Sequence, residues 1–376
     1  MTENKKPVRV WCDGCYDMVH FGHANQLRQA KQLGNRLVVG VHNDEEIMQH
    51  KGPAVFNEQE RYRMVRGIKW VDEVVENAPY STSVETLDKY DCDFCVHGND
   101  ITLTSEGVDT YADVKAAGRY KDERPGVSTT DLVGRMLLLT KTHHSHNEEF
   151  SGEHSERARS LSMCQDGQSP WTRVSRFMPT TKQILEFAEG RPPAPDDVIV
   201  YVCGAFDLFH IGHLAFLEAA RQLGDYLIDV NDYKGGNYPI MSLHERVLSV
   251  LAYKPVSEVI IGAPIALTQE MIERFGIQIA VNGVAGGHAD PDCDHEDERF
   301  TLAKELGIYR QVDSGSEMTT EKIIDRILEN RRIYESRNKK KERKEAAAFK
   351  ALQSMNEKNG TKVKSAFNVI CVEDPK

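Results

Sequence analysis

At 376 residues the chain exceeds what one ordinary core organises, so two domains are expected. Hydrophobic residues make up 40%, enough to bury cores, and the net charge of −11 argues against general nucleic-acid binding. No apolar run reaches the length of a membrane span, and Met1-Thr-Glu-Asn-Lys-Lys lacks a signal-peptide apolar region, which predicts a cytoplasmic protein.

The stretch Val10-Trp-Cys-Asp-Gly-Cys-Tyr-Asp-Met-Val-His-Phe-Gly-His23 starts apolar and β-prone, meets Gly14, and ends in a histidine pair split by Phe21-Gly22. Leu27, Ala30 and Leu33 follow at helical spacing. The pattern predicts a strand, a glycine-containing turn and a helix whose start carries His20 and His23. Backbone N–H groups and the positive dipole end of such a helix make a natural phosphate site. Arg36-Leu-Val-Val-Gly-Val-His-Asn-Asp44 reads as a buried strand with a polar end. Lys51-Gly-Pro then reads as a loop, Glu60-Arg61 as a helix opening, and Val71-Asp-Glu-Val-Val75 as a strand. Cys12/Cys15 and Cys92/Cys95 form two C-x-x-C pairs in or beside strand-like runs. Residues three apart on a strand point to opposite faces, so both pairs read as small buried thiols and not as a zinc site.

Thr142 to Pro170 is rich in Ser, Glu, His and Gly and reads as a mobile linker, its His143, His144, His146 and His154 included. Phe177 to Ala188 predicts a helix capped by Thr180 or Thr181 and docked through Ile184, Leu185 and Ala188. The opening pattern then returns. Val202-Cys-Gly-Ala-Phe-Asp-Leu-Phe-His-Ile-Gly-His213 is followed by Leu214, Leu217, Ala220 and Leu223, and His20 to His210 is 190 residues. Glu60-Arg61 and Glu245-Arg246 are 185 apart, as are Gly98 and Gly283, and Val127-Ser-Thr-Thr130 and Glu317-Met-Thr-Thr320 return to 190. This is a duplicated domain. Beyond Asn330 the chain is strongly charged and reads as a solvated helix prolonging the second copy.

Strands alternating with helices predict an α/β protein: two tandem Rossmann-like, doubly wound parallel-sheet domains at residues 7–140 and 197–330. Residues 141–196 link them and 331–376 form a charged tail. Ligands in such sheets sit at the carboxyl ends of the strands, which predicts one nucleotide-sized crevice per copy. Each crevice would combine the histidine pair with Lys51 or Lys234, an arginine opening a helix, and a Ser/Thr-rich helix start. There is no Ser–His–acid or Cys–His arrangement, no Walker loop and no G-x-G-x-x-G fingerprint. Cations and N–H donors without a nucleophile suit in-line attack on phosphorus.

H-x-G-H after G-x-[FY]-D, a K-G loop, an E-R pair, V-x-E-V and a terminal S-T-T resemble the cytidylyltransferase family of nucleotidyltransferases. The tandem copies resemble its phosphoethanolamine-using members. The resemblance implies CTP and phosphoethanolamine as partners, CDP-ethanolamine and pyrophosphate as products, and Mg2+ accompanying CTP. It also implies peripheral membrane association at most, at the cytosolic face of the endoplasmic reticulum, and a homodimer as the candidate assembly. Carried across, His20 and His23 would hold the CTP phosphates and stabilise the transition state, with Gly22 allowing close approach and Lys51 contacting phosphates. Gly14, Cys15 and Tyr16 would line the nucleotide, His97 and Gly98 the cytosine and ribose, and Ser128, Thr129 and Thr130 the triphosphate. Matching positions in copy two are Gly204, Ala205, Phe206, His210, Gly212, His213, Lys234, Asn282, Gly283, Ser316, Thr319 and Thr320. No protein-held metal site is implied.

Two departures separate the copies. The family's arginine before the S-T-T segment is Glu123 here, with Arg124 next to it, and copy two has no arginine in Asp313-Ser-Gly-Ser-Glu-Met-Thr-Thr320. His20 to Lys51 spans 31 residues and His210 to Lys234 only 24. Copy one is therefore expected to carry most of the turnover. A non-catalytic CTP sensor, a phosphocholine-using relative and an adenylyltransferase or aminoacyl-tRNA synthetase are the rival classes. Chain length, acidity and the missing lysine-rich signature loop disfavour the synthetase.

Overall fold

The computed structural model describes residues 6–98, 104, 109–123, 184, 186–231, 239–264, 266–284 and 299–336. Contacts divide the chain into Met1–Glu329 and Asn330–Lys376, and both sheets lie in the first unit. Of the second unit, residues 331–336 are helical, with the Arg331 guanidinium on Glu335 at 2.8 Å, one turn on. Much of the expected linker, residues 142–170, and the tail beyond 336 lie outside the described residues.

The first sheet contains β1 (Arg9–Gly14), β2 (Arg36–Val41), β3 (Glu73–Glu76), β4 (Phe94–Gly98) and β5 (Tyr120–Glu123) in the order β3-β2-β1-β4-β5. The second contains β6 (Ile199–Gly204), β7 (Tyr226–Asn231), β8 (Glu258–Ile260), β9 (Ile277–Val284) and β10 (Tyr309–Asp313) in the order β10-β9-β6-β7-β8. Every strand pair is parallel. Counted from each copy's first strand the orders are identical, and Arg9↔Arg36 in one becomes Ile199↔Tyr226 in the other. The chain runs outward from β1 through β2 to β3, then returns to the far side for β4. The switch point between β1 and β4, and its counterpart between β6 and β9, is where a doubly wound sheet opens a crevice.

In copy one the helices are α1 (Phe21–Lys31), α2 (Asp44–His50), α3 (Glu58–Gly67), α4 (Val84–Lys89) and α5 (Ala112–Ala116). Copy two contributes α6 (Ile211–Arg221), α7 (Leu243–Leu251), α8 (Gln269–Phe275), α9 (Thr301–Glu305) and α10 (Thr320–Glu329). Asn57 caps α3, with Glu60 reaching back to the cap, and Ser242 and Glu245 do the same for α7.

Period-two alternation sorts the strand side chains by face. Trp11, Val38 and Cys95 pack outward with Leu87 and Val114. Val10, Cys12, Leu37, Val39 and Val96 point inward. In copy two, Tyr201, Ile228 and Ala280 pack outward with Phe300, while Val200, Val202, Leu227 and Val281 join the same inward cluster as copy one. One core therefore runs through both copies. At its centre Ile68 pairs antiparallel with Tyr253. The Lys69 N–H donates to the Ala252 carbonyl and the Lys254 N–H to the Gly67 carbonyl, each at 2.8 Å. Ile68 meets its own equivalent, and Lys69 bonds to Ala252 as its equivalent Lys254 bonds to Gly67, the equivalent of Ala252, so the copies are related by a local two-fold axis. Gly67 makes room there: a Cβ would stand 2.8 Å from Leu214 Cδ2, and that side chain would have to shift.

Phe187, just before copy two, is 1% exposed and packs edge-on against Trp70 at 5.2 Å. Glu186 pairs with Arg28 at 2.9 Å, and the Trp70 indole N–H donates to Glu189 at 2.8 Å. Ile184 also packs on the shared core; the rest of the expected helix before it, with Thr180 and Thr181, and Leu185 lie outside the described residues. Cys12 and Cys95 fall on opposite faces of the first sheet, and burial pushes the Cys92 thiol up to about 11 and Cys95 well above the ordinary range.

Candidate active site

Between β1 and α1 the chain makes a turn that breaks the usual backbone rules twice. Tyr16 and Met18 have φ of 50° and 49°, and Phe206 and Leu208 repeat this at 46° and 47°. A left-handed conformation costs a non-glycine residue about 1–2 kcal/mol, so something must hold it. The residue between each pair does. The buried Asp17 carboxylate accepts the Val55 N–H at 3.0 Å and the Phe56 N–H at 2.9 Å. The Asp207 carboxylate accepts those of Ile240 and Met241 at 2.7 and 2.9 Å. The aspartate of G-x-[FY]-D thus fastens the turn to the segment after the lysine loop. The glycine of the motif leaves room for the aromatic ring: a Cβ on Gly14 would stand 3.2 Å from Tyr16, and on Gly204 2.8 Å from Phe206. Those rings lie against the second histidines, Tyr16 on His23 at 5.7 Å and Phe206 on His213 at 5.2 Å between centroids.

His20 is the N-cap of α1, its Nδ1 accepting the Gly22 N–H at 3.0 Å, and His23 Nδ1 faces the His20 N–H at 3.4 Å. His210 caps α6 in the same way, accepting from Gly212 at 3.1 Å and His213 at 3.4 Å. An imidazole whose Nδ1 accepts must carry its proton on Nε2. The caps therefore fix the tautomer and present Nε2–H donors at the positive end of a helix. The two rings stand close, with centroids 4.1 Å apart in copy one and 3.8 Å in copy two. In copy two His210 Nε2 and His213 Nδ1 are buried with no partner among the described residues. Burial holds both imidazoles below their ordinary range, with His213 adding to the effect on His210, so that pair is neutral. A buried N–H donor without an acceptor is costly, and an oxyanion satisfies it.

The sequence pattern matches the family described as cytidylyltransferase-like over residues 11–135 and 201–366. The chain belongs to that family. It is 54% identical over 377 aligned positions to ethanolamine-phosphate cytidylyltransferase of Mus musculus, covering 93% of this chain and 92% of the other. The enzyme of that name from Dictyostelium discoideum is 50% identical, covering 92% and 97%, and that from Arabidopsis thaliana 45%, covering 92% and 86%. Choline-phosphate cytidylyltransferase 2 of Arabidopsis thaliana is 39% identical over 36% of this chain.

Within this cytidylyltransferase fold, Gly14, Cys15, Tyr16, His20, Gly22 and His23 sit at the carboxyl end of β1, and His97 and Gly98 at that of β4, on the two sides of the switch point. His97 lies on Tyr111 at 4.6 Å between ring centroids. Lys51 ends α2, its Nζ 5.8 Å from the Tyr80 ring. Gly204, Ala205, Phe206, His210, Gly212 and His213 repeat the arrangement, with Asn282 and Gly283 in β9. Ser128, Thr129, Thr130 and Lys234 lie outside the described residues. Ser316 Oγ accepts the Met318 N–H at 3.3 Å, Thr319 Oγ1 accepts that of Lys322 at 3.3 Å, and the Thr320 hydroxyl donates to the Asp207 carbonyl at 3.3 Å. The close approach that Gly212 permits is made by the chain itself: a Cβ there would be 2.3 Å from the Met318 carbonyl oxygen.

Arg61 departs from expectation. It is fully buried and does not open onto the crevice. Its guanidinium donates to the carbonyls of Cys15 and His42 at 2.7 Å, to that of Phe56 at 3.2 Å, and to Asp44 at 2.8 Å. It ties three loops together. Arg246 likewise donates to the Ala205 carbonyl at 2.6 Å. The shortening of copy two also has a finer structure. Measured from the anchored amides, Lys51 stands four residues before Val55 and Lys234 six before Ile240.

Asp13 was not singled out by its motif. Its buried carboxylate accepts the Thr82 hydroxyl at 2.9 Å and the Tyr111 hydroxyl at 3.0 Å, and the Trp11 indole donates to Thr82 Oγ1 at 3.1 Å. His42 Nε2 is 4.0 Å from it. Burial raises the Asp13 pKa, opposed by His97 and the two hydroxyls. Copy two replaces the whole cluster. Cys203 stands at the position of Asp13 and Phe300 at that of Tyr111. Leu267, whose N–H donates to Arg299 as that of Thr82 does to Thr110, stands at the position of Thr82. A buried carboxylate with its donors is present in copy one, and apolar or thiol groups fill the same space in copy two.

Proposed function

We propose that this chain transfers CMP from CTP to phosphoethanolamine, giving CDP-ethanolamine and pyrophosphate for phosphatidylethanolamine biosynthesis. The observation that carries the reading is the tautomer lock: His20, His23 and His210 each accept a backbone N–H group at a helix start through Nδ1. The acceptor, phosphoethanolamine over phosphocholine, is supported by the names of relatives aligned over more than nine-tenths of the chain.

The phosphate oxygen of phosphoethanolamine is anionic near neutral pH and needs no general base. It attacks the α-phosphorus of CTP, one P–O bond forms as the bond to the departing pyrophosphate breaks, and no covalent enzyme intermediate is required. The Nε2–H groups of His20 and His23, with the Lys51 ammonium, stabilise charge on the phosphate oxygens. Mg2+ belongs to the same proposal as a companion of CTP. Among the described residues no three His, Cys, Asp or Glu side chains converge, and the Asp17 carboxylate already accepts backbone N–H groups. A resident protein-held ion therefore does not fit those residues, and no step is routed through one.

Copy one carries most of the turnover in this reading, supported by its retained Asp13 cluster. CDP-ethanolamine formation by His23→Ala and His213→Ala proteins tests it. Losing a phosphate-stabilising donor in the working site should cost about 3 kcal/mol or more, at least about 100-fold in rate. Loss of activity in His213→Ala alone would reverse the assignment. No helix among the described residues is long and apolar enough to cross a membrane. A cytoplasmic enzyme, at most peripherally bound to the endoplasmic reticulum and assembled as a homodimer, completes the proposal; sedimentation and membrane flotation test these last points.

A further inference from the structure

We propose that Arg326, which belongs to copy two, is a positioning residue for the Lys51 loop of copy one. The inference rests on the reading of Lys51 as a phosphate-binding group. Helix α10 begins on copy two, where Thr320 donates to the Asp207 carbonyl, and buries Ile323, Ile324 and Ile327. Ten residues make a rod about 15 Å long. Near its far end the Arg326 guanidinium grips Glu60 of copy one with both nitrogens, at 2.9 and 3.0 Å, and Nη1 lies 3.4 Å from the Val55 carbonyl. Paired N–H donors on one carboxylate fix orientation as well as distance.

What they grip is the foot of the Lys51 loop. Val55 and Phe56 are held by their N–H groups on Asp17, the Phe56 carbonyl accepts from Arg61, and Glu60 accepts the Asn57 N–H at 3.0 Å. At the other end Lys51 and Gly52 donate to the Ile47 carbonyl at 2.8 and 3.0 Å. Lys51 to Ala54 therefore spans two fixed points, and Gly52 turns the chain at φ 90°. On its outer side the loop borders a cavity of about 300 Å3 lined by Met48, Pro53, Ala54, Val55 and Arg326. With open space behind the loop, Arg326 and Glu60 limit how far its foot moves outward. Copy one's site thus takes one fixing point from the other copy.

Full-length Arg326→Gln, Arg326→Lys, Glu60→Gln and the Arg326→Gln/Glu60→Gln double variant test this, with melting temperature, CTP kinetics and hydrogen exchange read together. Arg326→Gln should raise the KM for CTP about fivefold, equal to about 1 kcal/mol at about 1.36 kcal/mol per factor of ten. Exchange should accelerate at Lys51, Gly52, Ala54, Val55 and Phe56 while the central strands keep their protection. The double variant should be no worse than either single one, as expected of one shared contact. Arg326→Lys, which keeps the charge but loses the fork, should fall between. A merely structural role would lower the melting temperature and spread the exchange without moving KM in a folded variant. Wild-type KM and unchanged loop exchange in folded Arg326→Gln overturn the proposal; if that variant does not fold, the same readings on Glu60→Gln decide. Full turnover by Lys51→Ala would instead overturn the reading of Lys51, whatever Arg326 does.

Discussion

Asp17 and Asp207 make the same two contacts in the two copies, so the molecule contains its own control. Replacing Asp17 by Ala removes two charge-assisted hydrogen bonds, worth about 1.5–3 kcal/mol each. It also frees Tyr16 and Met18 to leave the left-handed region, recovering about 1–2 kcal/mol apiece. The net loss of stability is then about 2 kcal/mol, a shift of about 2–3 °C for a chain of this size. Activity responds differently, because the turn that carries His20 and the foot of the Lys51 loop come apart. Loss of one aimed donor at the phosphate corresponds to about 3 kcal/mol, near 100-fold in rate. Asp207→Ala should show the same small drop in melting temperature with CDP-ethanolamine formation within about threefold of the parent, since the proposed division of labour puts the working donors in copy one. Pyrophosphate release with saturating phosphoethanolamine, followed alongside calorimetry, measures both. Equal losses of activity in the two variants refute the division of labour; full activity in a folded Asp17→Ala protein refutes the anchoring argument.

Gly212→Ala should push the Met318 carbonyl away at a cost of about 1–3 kcal/mol, whereas Gly190→Ala, whose Cβ meets nothing within 4 Å, should melt like the parent. Arg61→Lys keeps the charge but cannot reach all four acceptors, and a fall of about 3–5 kcal/mol in urea unfolding checks its role as a tie. His42 is pushed down to about 3 by burial, so the unfolded chain takes up this proton first as pH falls. Its contribution is complete above about pH 6.5 and fades towards pH 3, amounting to about 2 kcal/mol lost by pH 5. His42→Gln should flatten the dependence of melting temperature on pH across that window.

The β–turn–helix units could be read from the chain because their signals are local: an apolar run, a glycine, then residues at helical spacing. The repeat strengthened each unit, since chance does not place the same turn chemistry twice in register. Arg61 could not be read, because a sequence shows that an arginine opens a helix but not that the carbonyls of Cys15, His42 and Phe56 surround it. Asp13 was hidden for the same reason: its donors are Thr82 and Tyr111, 69 and 98 positions away. Arg326 and Glu60 are 266 apart and share no motif at all. Equal spacing also misled slightly. His20-to-Lys51 and His210-to-Lys234 differ by seven residues, yet the aspartate-anchored amides differ from their histidines by only five, and the other two lie between the lysine and its anchor.

The inward faces of both sheets share a single core, closed at Ile68 and Tyr253. A duplicated protein is usually free to discard the spare. Here the second copy is walled in: parting the halves would lay bare Leu214, Val247, Val250 and Tyr253, together with their partners in copy one. Change in the second half is therefore permitted on its crevice side and barred on its inner side. Under the proposed division of labour the second copy persists as masonry, and a cut between the halves should yield two insoluble fragments.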